Sequence, residues 1–311
     1  MNVARFPDDP PVRWHQPVIA LGNFDGLHRG HMKIIDRVRR RAGERAGTPA
    51  AMTLDPHPPR VLRPDKAPPL LMTMEQKLEA LGRAGMQGVA VVRFTPELSL
   101  WEPEAFVRTV LVEWLHVAEV WVGANFLFGH QRAGTFSVLR TLGARYGFRA
   151  EKIDPVRYKD FVVSSTRIRR LVQEGRVDEA AALLGHHYFI DGVVARGAGR
   201  GRSIGFPTAN LETANELLPP LGVYVTTLSV DGLVLPSITN VGVRPTFGDV
   251  DRVMVETHVF DLDRDLYGQA LRLSFVQRLR DERTFPDVDA LRTQIDADCR
   301  SARRLFVRIS L

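Results

Sequence analysis

Residues 18–31 read VIALGNFDGLHRGH, and this stretch decides the fold of the first half of the chain. Its first part, Val18–Leu21, is a short apolar run of the length and composition typical of an interior parallel strand. Amphipathic spacing follows the loop and predicts a helix that begins near Arg29 or Gly30. The stretch is therefore a buried strand joined to a helix start through a loop that carries two histidines.

A helix start of this kind is a place where phosphate binds. Free backbone N–H groups and the positive end of the helix dipole attract anions there. His28 and His31 are placed to donate hydrogen bonds to oxygens that gain charge during phosphoryl chemistry. Gly26 and Gly30 would let a nucleotide approach the backbone closely. Taken alone, the spacing H-x-x-H also suits a surface turn with two solvated histidines.

A second stretch rich in glycine lies at Gly197–Leu211, which reads GAGRGRSIGFPTANL. It contains no G-x-x-x-x-G-K-[ST] loop, and Arg202 stands where the dinucleotide fingerprint needs its third glycine. A flexible glycine loop can still wrap phosphates with its N–H groups, and Thr208 and Asn210 offer oxygen ligands that suit Mg²⁺. A glycine-rich hairpin is the alternative interpretation of the bare pattern.

Length and composition indicate a globular protein of two domains. The chain has 311 residues, with 44% hydrophobic and 25% charged residues. No apolar run approaches the roughly 20 residues of a membrane-spanning helix, and the first residues lack the apolar core of a signal peptide. We therefore expect no membrane association and a cytoplasmic location. The single cysteine, Cys299, excludes an internal disulfide.

The net charge of +6 and the isoelectric point of about 9.8 raise the question of nucleic-acid binding. The cations are spread along the chain, and no zinc-finger or aromatic RNA-binding pattern is present. We expect no specific nucleic-acid partner, since a positive field equally favours substrates that carry several phosphates.

Strand and helix patterns alternate over the first part of the chain, which indicates a doubly wound parallel sheet. Ligands of such sheets bind beyond the carboxyl ends of the strands. Three of the predicted strands are followed by loops whose side chains could bind a ligand. These are the histidine loop, the loop at Asp55–Pro59 and the loop at Gly123–Gly129.

The pattern changes after Gly185. Short strands with close turns follow, with Asp231-Gly232 as a hairpin signal, and a helix from Asp287 to about Phe306 ends the chain. These features predict a small antiparallel barrel with a terminal helix. They also predict a first domain over residues 1–185 and a second over residues 186–311.

The two signatures resemble those of one known family. Residues 22–31 resemble the G-N-F-D-G-x-H-x-G-H form of bacterial FAD synthetases, and residues 197–211 resemble the riboflavin kinase signature G-x-G-R-G-R-x-I-G-F-P-T-A-N-L. Together they resemble the bacterial bifunctional riboflavin kinase/FMN adenylyltransferases over about Val18–Arg304. The resemblance implies an N-terminal nucleotidyltransferase domain with a doubly wound parallel sheet and a C-terminal riboflavin kinase barrel.

The resemblance also implies site residues. His28, His31 and Glu256 are the implied catalytic residues, and Thr208 and Asn210 are the implied ligands of Mg²⁺. In the first part, ATP or substrate binding carries over to Gly22, Asn23, Phe24, Asp25, Gly26, His57, Asn125, Arg132, Ser164, Ser165, Thr166 and Arg169. In the second part, it carries over to Gly197, Gly199, Gly201, Gly205, Phe206, Pro207 and Arg244.

Glu256 is the residue on which pattern and resemblance differ. Alternation along an otherwise apolar strand predicts a glutamate that points outward into solvent. The resemblance to the E-x-H motif of riboflavin kinases implies a base that accepts the proton of an alcohol substrate. Asp25 is expected to serve structure or metal binding, because a phosphate nucleophile needs no strong base.

The implied activity has two steps, phosphorylation of riboflavin to FMN by ATP and adenylylation of FMN by a second ATP to give FAD and pyrophosphate. One alternative is a transferase whose histidine site acts on a different phosphate ester. Another is a flavin- or RNA-binding regulator without turnover. The presence of His28, His31, Asn210 and Glu256 argues against the regulator.

Overall fold

A computed structural model describes residues 1–196, 201, 204–244 and 252–309. The chain divides into two compact units, Met1–Ser165 and Thr166–Leu311. None of the helices in these described ranges combines the length and apolar character that crossing a membrane requires.

The first unit is built on a parallel sheet of six strands in the order β1-β4-β3-β2-β5-β6. Its strands are β1 Asn2–Phe6, β2 Val18–Leu21, β3 Pro49–Asp55, β4 Gly88–Arg93, β5 Glu119–Gly123 and β6 Arg149–Ile153, beside a short hairpin of β7 Arg157–Tyr158 and β8 Phe161–Val162. Its helices are α1 Arg29–Glu44, α2 Pro58–Leu62, α3 Met74–Arg83, α4 Pro96–Ser99, α5 Pro103–Phe106 and α6 Phe136–Tyr146. The predicted doubly wound sheet is confirmed.

The strand order places the first site at a topological switch point. From β2 the chain moves outward to β3 and β4, and it then returns to β5 on the other side of β2. In doubly wound sheets, ligands bind in the crevice that such a reversal leaves beyond the carboxyl ends of the strands. Helices cover both faces of the sheet over two hydrophobic clusters, one under α1 and α3 and one under α6.

The second unit contains helices α7 Ser165–Gln173 and α8 Val177–Leu184, of which α7 starts at the last residue of the first unit. Six antiparallel strands then close into a barrel in the order β10-β13-β12-β11-β14-β9. The strands are β9 Tyr188–Ala195, β10 Ala209–Thr213, β11 Gly222–Val230, β12 Leu233–Arg244, β13 Arg252–Val259 and β14 Ala270–Arg280. The predicted barrel is confirmed, as is a terminal helix, α9 Val288–Ile309.

Two local predictions have clear outcomes. Asp231 and Gly232 join β11 to β12 with positive φ at both positions (50° and 79°), as a two-residue hairpin turn requires. The helical pattern of the sequence over Pro103–Leu115 is also present, as α5 followed by a π-helix over Val107–Trp114. Its wider turns are visible where the Leu115 N–H bonds the Val110 carbonyl, five residues back.

A buried ion pair fixes α1 to the sheet. Glu119 at the start of β5 is fully buried and accepts two hydrogen bonds from Arg41 (3.0 and 2.9 Å) and one from the Trp121 indole (2.7 Å). Burial alone would raise the pKa of Glu119, but these hydrogen bonds outweigh it and lower the pKa below its usual value. Arg41 also pairs with the exposed Glu44.

We expect Glu119→Gln to destabilise the first unit by about 2 kcal/mol, because it leaves the Arg41 guanidinium without a full countercharge. Glu44→Gln removes the exposed partner of the same arginine and should cost less than about 0.5 kcal/mol. Urea unfolding followed by tryptophan fluorescence measures both. Equal effects of the two substitutions would contradict the assignment of Glu119 as the dominant partner.

Candidate active sites

His28 directly precedes helix α1, and its side chain caps the N-terminus of that helix. Its Nδ1 accepts the backbone N–H of His31 (3.2 Å), which makes His28 the N-cap residue. A ring nitrogen that accepts a hydrogen bond carries no proton, so the neutral ring holds its proton on Nε2. His28 is therefore oriented as a hydrogen-bond donor. A Cβ at Gly30 would lie 3.0 Å from the ring, so glycine there leaves room for the cap.

His31 stacks on His28, with ring centroids 3.6 Å apart and planes inclined by 12°. Burial lowers the pKa of His31 well below its usual value, and positive charge on Lys77 or on a protonated His28 lowers it further. Its Nδ1 is buried and has no hydrogen-bond partner among the described residues. His31 is thus a neutral ring with a polar atom left for a ligand.

Asp25 holds the histidine loop against two other segments. Its carboxylate is almost fully buried and accepts the backbone N–H groups of Leu71 (3.0 Å) and Met72 (3.3 Å). Its carbonyl accepts the Ser165 hydroxyl (2.8 Å). These contacts support the structural role expected for Asp25, and they bring Ser165 to the loop.

Lys77 and Thr53 lie beneath the same loop and were not anticipated from the sequence. The Lys77 ammonium donates to Thr53 Oγ1 (3.3 Å), and the Thr53 hydroxyl donates to the Asn23 carbonyl (3.2 Å). Both side chains are buried. No local pattern marks either residue, because their contacts join α3 and β3 to a loop distant in the chain.

The remaining predicted residues of the first unit follow neighbouring strands. His57 comes after β3 and precedes α2, and Asn125 comes after β5, next to β2. Asn125 and Arg132 are exposed, and Phe24 is fully buried beneath Gly22. Binding roles stay predictions for all the residues assigned in this unit, namely Gly22, Asn23, Phe24, Asp25, Gly26, His57, Asn125, Arg132, Ser164 and Ser165. Thr166 and Arg169 belong to the second unit, and their roles stay predictions as well.

A cavity of about 450 Å³ lies on the outer face of the barrel. Strand register places Glu256 of β13 directly between Asn210 of β10 and Asn240 of β12, so the three side chains form a row across adjacent strands. Alternation correctly predicts that Glu256 faces away from the barrel interior. The side chain is partly buried rather than fully exposed, and α9 contributes Leu291, Ile295 and Asp298 to the wall of this cavity.

The residues of this cavity fit a divalent cation. Asn210 is 7% exposed, and its Oδ1 is buried without a hydrogen-bond partner among the described residues. The side chains of Thr208 and Glu256 line the same cavity. Mg²⁺ prefers oxygen ligands and takes few from protein when phosphate oxygens and water complete its shell. The described residues hold no cluster of three or more His, Cys, Asp or Glu that would suit a metal.

In the loop before β10, the backbone at Gly201 lies close to the backbone at Phe206. A Cβ at this position would lie 2.3 Å from the Phe206 carbonyl oxygen, and Gly205 adopts a φ of +88°. The Pro207 carbonyl lies 2.9 Å from Nδ1 of His258 on β13, which fixes the segment beside the cavity. Gly197 and Gly199 lie outside the described residues, as does the side chain of Arg244, and the binding roles assigned to all seven residues of this part stay predictions.

Two family models match the chain, one described as FAD synthetase over residues 11–167 and one described as riboflavin kinase over residues 184–306. A bifunctional riboflavin kinase/FMN adenylyltransferase from Pseudomonas fluorescens is 37% identical over 289 residues, which cover 93% of this chain and 92% of the relative. The chain belongs to the bifunctional riboflavin kinase/FMN adenylyltransferase family. The resemblance inferred from the two signatures is confirmed.

Other members of this family match over the same span. The Bacillus subtilis enzyme of the same name is 36% identical, and the Escherichia coli K12 enzyme is 34% identical, each covering 93% of this chain and 92% of the relative. A solved structure described as a macrolide-efflux protein from Streptococcus pneumoniae aligns with a TM-score of 0.89 at 26% identity, covering 97% of this chain and 99% of that chain. That likeness shows that the fold extends over nearly the whole length of this family member.

The lowered pKa of His31 predicts that acid destabilises the first unit. The unfolded chain binds a proton on His31 below about pH 6.5, whereas the folded unit excludes that proton until the pH is well below 6.5. Stability should therefore fall as the pH drops below 6.5, by up to about 1.4 kcal/mol per pH unit from this group.

All four tryptophans, at positions 14, 101, 114 and 121, lie in the first unit, so urea unfolding at pH 7.5, 6.5 and 5.5 can be followed by their fluorescence. We expect His31→Asn to flatten the loss on acidification. His15→Asn changes an exposed histidine of the same unit and should leave the loss unchanged. An equal loss in the wild type and in His31→Asn would refute the assignment.

Proposed function

We propose that the barrel cavity phosphorylates riboflavin to FMN and that the histidine loop then joins FMN to the adenylyl group of a second ATP. The row of Asn210, Glu256 and Asn240 supports the kinase step, and the His28 cap supports the adenylyl transfer. We keep residues 1–185 and 186–311 as the proposed limits of the two catalytic domains. A cytoplasmic site of action stays a prediction.

In the adenylyltransferase site, the phosphate of FMN attacks the α-phosphorus of ATP in line with the leaving pyrophosphate. A phosphate is already an anionic nucleophile, so the site needs hydrogen-bond donors and correct orientation more than a base. His28 supplies its Nε2–H, the helix start supplies the positive end of its dipole, and His31 adds the second ring. These donors stabilise the charge that develops on the phosphate oxygens.

In the kinase site, the terminal hydroxyl of the riboflavin ribityl chain attacks the γ-phosphorus of ATP. Glu256 accepts the proton of that hydroxyl, and the products are FMN and ADP. When bound by Thr208 and Asn210 with phosphate oxygens, Mg²⁺ would neutralise part of the charge of ATP. The partly enclosed position of Glu256 beneath α9 limits the access of water to the carboxylate.

We expect Glu256→Gln to lower FMN formation from riboflavin by at least about 100-fold, because the amide cannot accept the proton. FAD formation from added FMN should stay at the wild-type rate. Chromatography of flavins in the two separate reactions measures both steps. Glu212→Gln, at an exposed glutamate of β10, is the matched control. A kinase rate in Glu256→Gln within threefold of the control would exclude Glu256 as the base.

His28→Asn tests the first site without removing the helix cap. Asparagine is a favoured N-cap residue whose Oδ1 can accept the His31 N–H, but its shorter Nδ2–H group does not reach the position of the Nε2–H donor. We expect FAD formation from FMN to fall about 100- to 1,000-fold, with riboflavin phosphorylation unchanged. His28→Ala should in addition lower the stability of the first unit by about 1 kcal/mol. Normal FAD formation in His28→Asn would remove His28 from the chemical step.

A further inference from the structure

Lys77 on α3 is a buried cation that neither proposed reaction uses. Its side chain is only 4% exposed, although lysine is almost never fully buried without a partner. Burial lowers the pKa of Lys77, while the carboxylates of Asp25 and Asp55 raise it. Burial of an ammonium group costs free energy of folding. Because Lys77 is linked to the histidine loop, we infer that this cost is retained for a role in the site.

Two paths join helix α3 to the histidine loop. In the first, Lys77 reaches the Asn23 carbonyl through the Thr53 hydroxyl, with successive hydrogen bonds of 3.3 and 3.2 Å. In the second, Asp25 binds the N–H groups of Leu71 and Met72, which immediately precede the Thr73 cap of α3. The loop is thus fixed at the two residues that flank Phe24. Lys77 holds it at Asn23, and the contacts of Asp25 hold it on the other side.

The charges around His31 give Lys77 a second effect. The titratable groups that act on His31 are His28 and Lys77, both positive when protonated, and those that act on Lys77 are Asp25 and Asp55. A fixed positive charge beside His31 opposes its protonation. The charge of Lys77 therefore helps to hold the pKa of His31 below its usual value, and its removal should raise that pKa.

We propose that Lys77 is a positioning residue of the adenylyltransferase site, which holds the histidine loop through the Thr53 hydroxyl and the Asn23 carbonyl. The proposal rests on the proposed function of the first unit. It assigns no contact between Lys77 and substrate, because the ammonium is buried beneath the loop. It assigns Lys77 an effect on reaction rate and on the titration of His31.

The test compares Lys77→Met with Lys152→Met, which removes an exposed lysine of the same unit. Histidine labelled with ¹³C at Cε1 allows the ring titrations to be followed by NMR in the full chain, and the His31 signal is the one that His31→Asn removes. In Lys77→Met the pKa of His31 should rise, and FAD formation from FMN should fall about 100-fold. Riboflavin phosphorylation should not change, and Lys152→Met should match the wild type in every measurement.

An unchanged His31 titration, or FAD formation within threefold of Lys152→Met, would overturn the proposal. Tryptophan emission shows whether the first unit of Lys77→Met is folded, since all four tryptophans lie there. If the first unit of Lys77→Met is unfolded, the Thr53→Val variant tests the proposal instead. This variant keeps the Lys77 ammonium and removes the hydroxyl that links it to Asn23.

In Thr53→Val, FAD formation should fall about tenfold with the low pKa of His31 retained, and full activity would count against Lys77. A wild-type protein that forms no FAD would refute the proposed function itself, while the titration of His31 would still report on Lys77.

Discussion

The backbone N–H of His31 at the start of helix α1 needs an acceptor, and the first active site depends on the ring that supplies it. Because His28 accepts through Nδ1, its proton is fixed on Nε2 and its ring is held in one orientation. The same contact begins a helix whose dipole has its positive end at this site, and such a dipole attracts phosphate. One hydrogen bond thus sets the helix start, the tautomer of the ring and the direction of a donor.

The surroundings of that cap follow from the parallel sheet. The crossover from β4 back to β5 makes β2 the switch point of the sheet, and Asp25, Thr53 and Lys77 hold the loop that follows β2. The second unit uses a different arrangement. Register across three antiparallel strands aligns Asn210, Glu256 and Asn240, and α9 covers the outer face of the barrel there. The histidine loop and the barrel cavity lie in different units, so a substitution in one leaves the other reaction as an internal control.

Much of this organisation can be predicted from the sequence, because the signals are local. The apolar run at Val18–Leu21 and the Asp231-Gly232 turn each depend on neighbouring residues, and both predicted structures are present. The two signatures are also local, and the family that they indicate is confirmed. Lys77 could not be found in this way. It occupies an ordinary position of an amphipathic helix, and its importance arises only when β3 and the loop after β2 come together around it.

Glu256 shows the limit of a correct local rule. Alternation gives the right face of the strand, but it carries no information about the distant helix that covers that face. The π-helix at Val107–Trp114 is a similar case, because its spacing of buried residues is the same as that of an α-helix.

The central claim is that one chain carries two separate activities in sequence, and the most direct measurement is a time course of the purified protein with riboflavin, ATP and Mg²⁺. Chromatography should show FMN first and FAD afterwards, with pyrophosphate released only as FAD appears. FMN that accumulates without FAD would contradict the assignment of the histidine site. Riboflavin that remains unchanged would contradict the assignment of the barrel cavity.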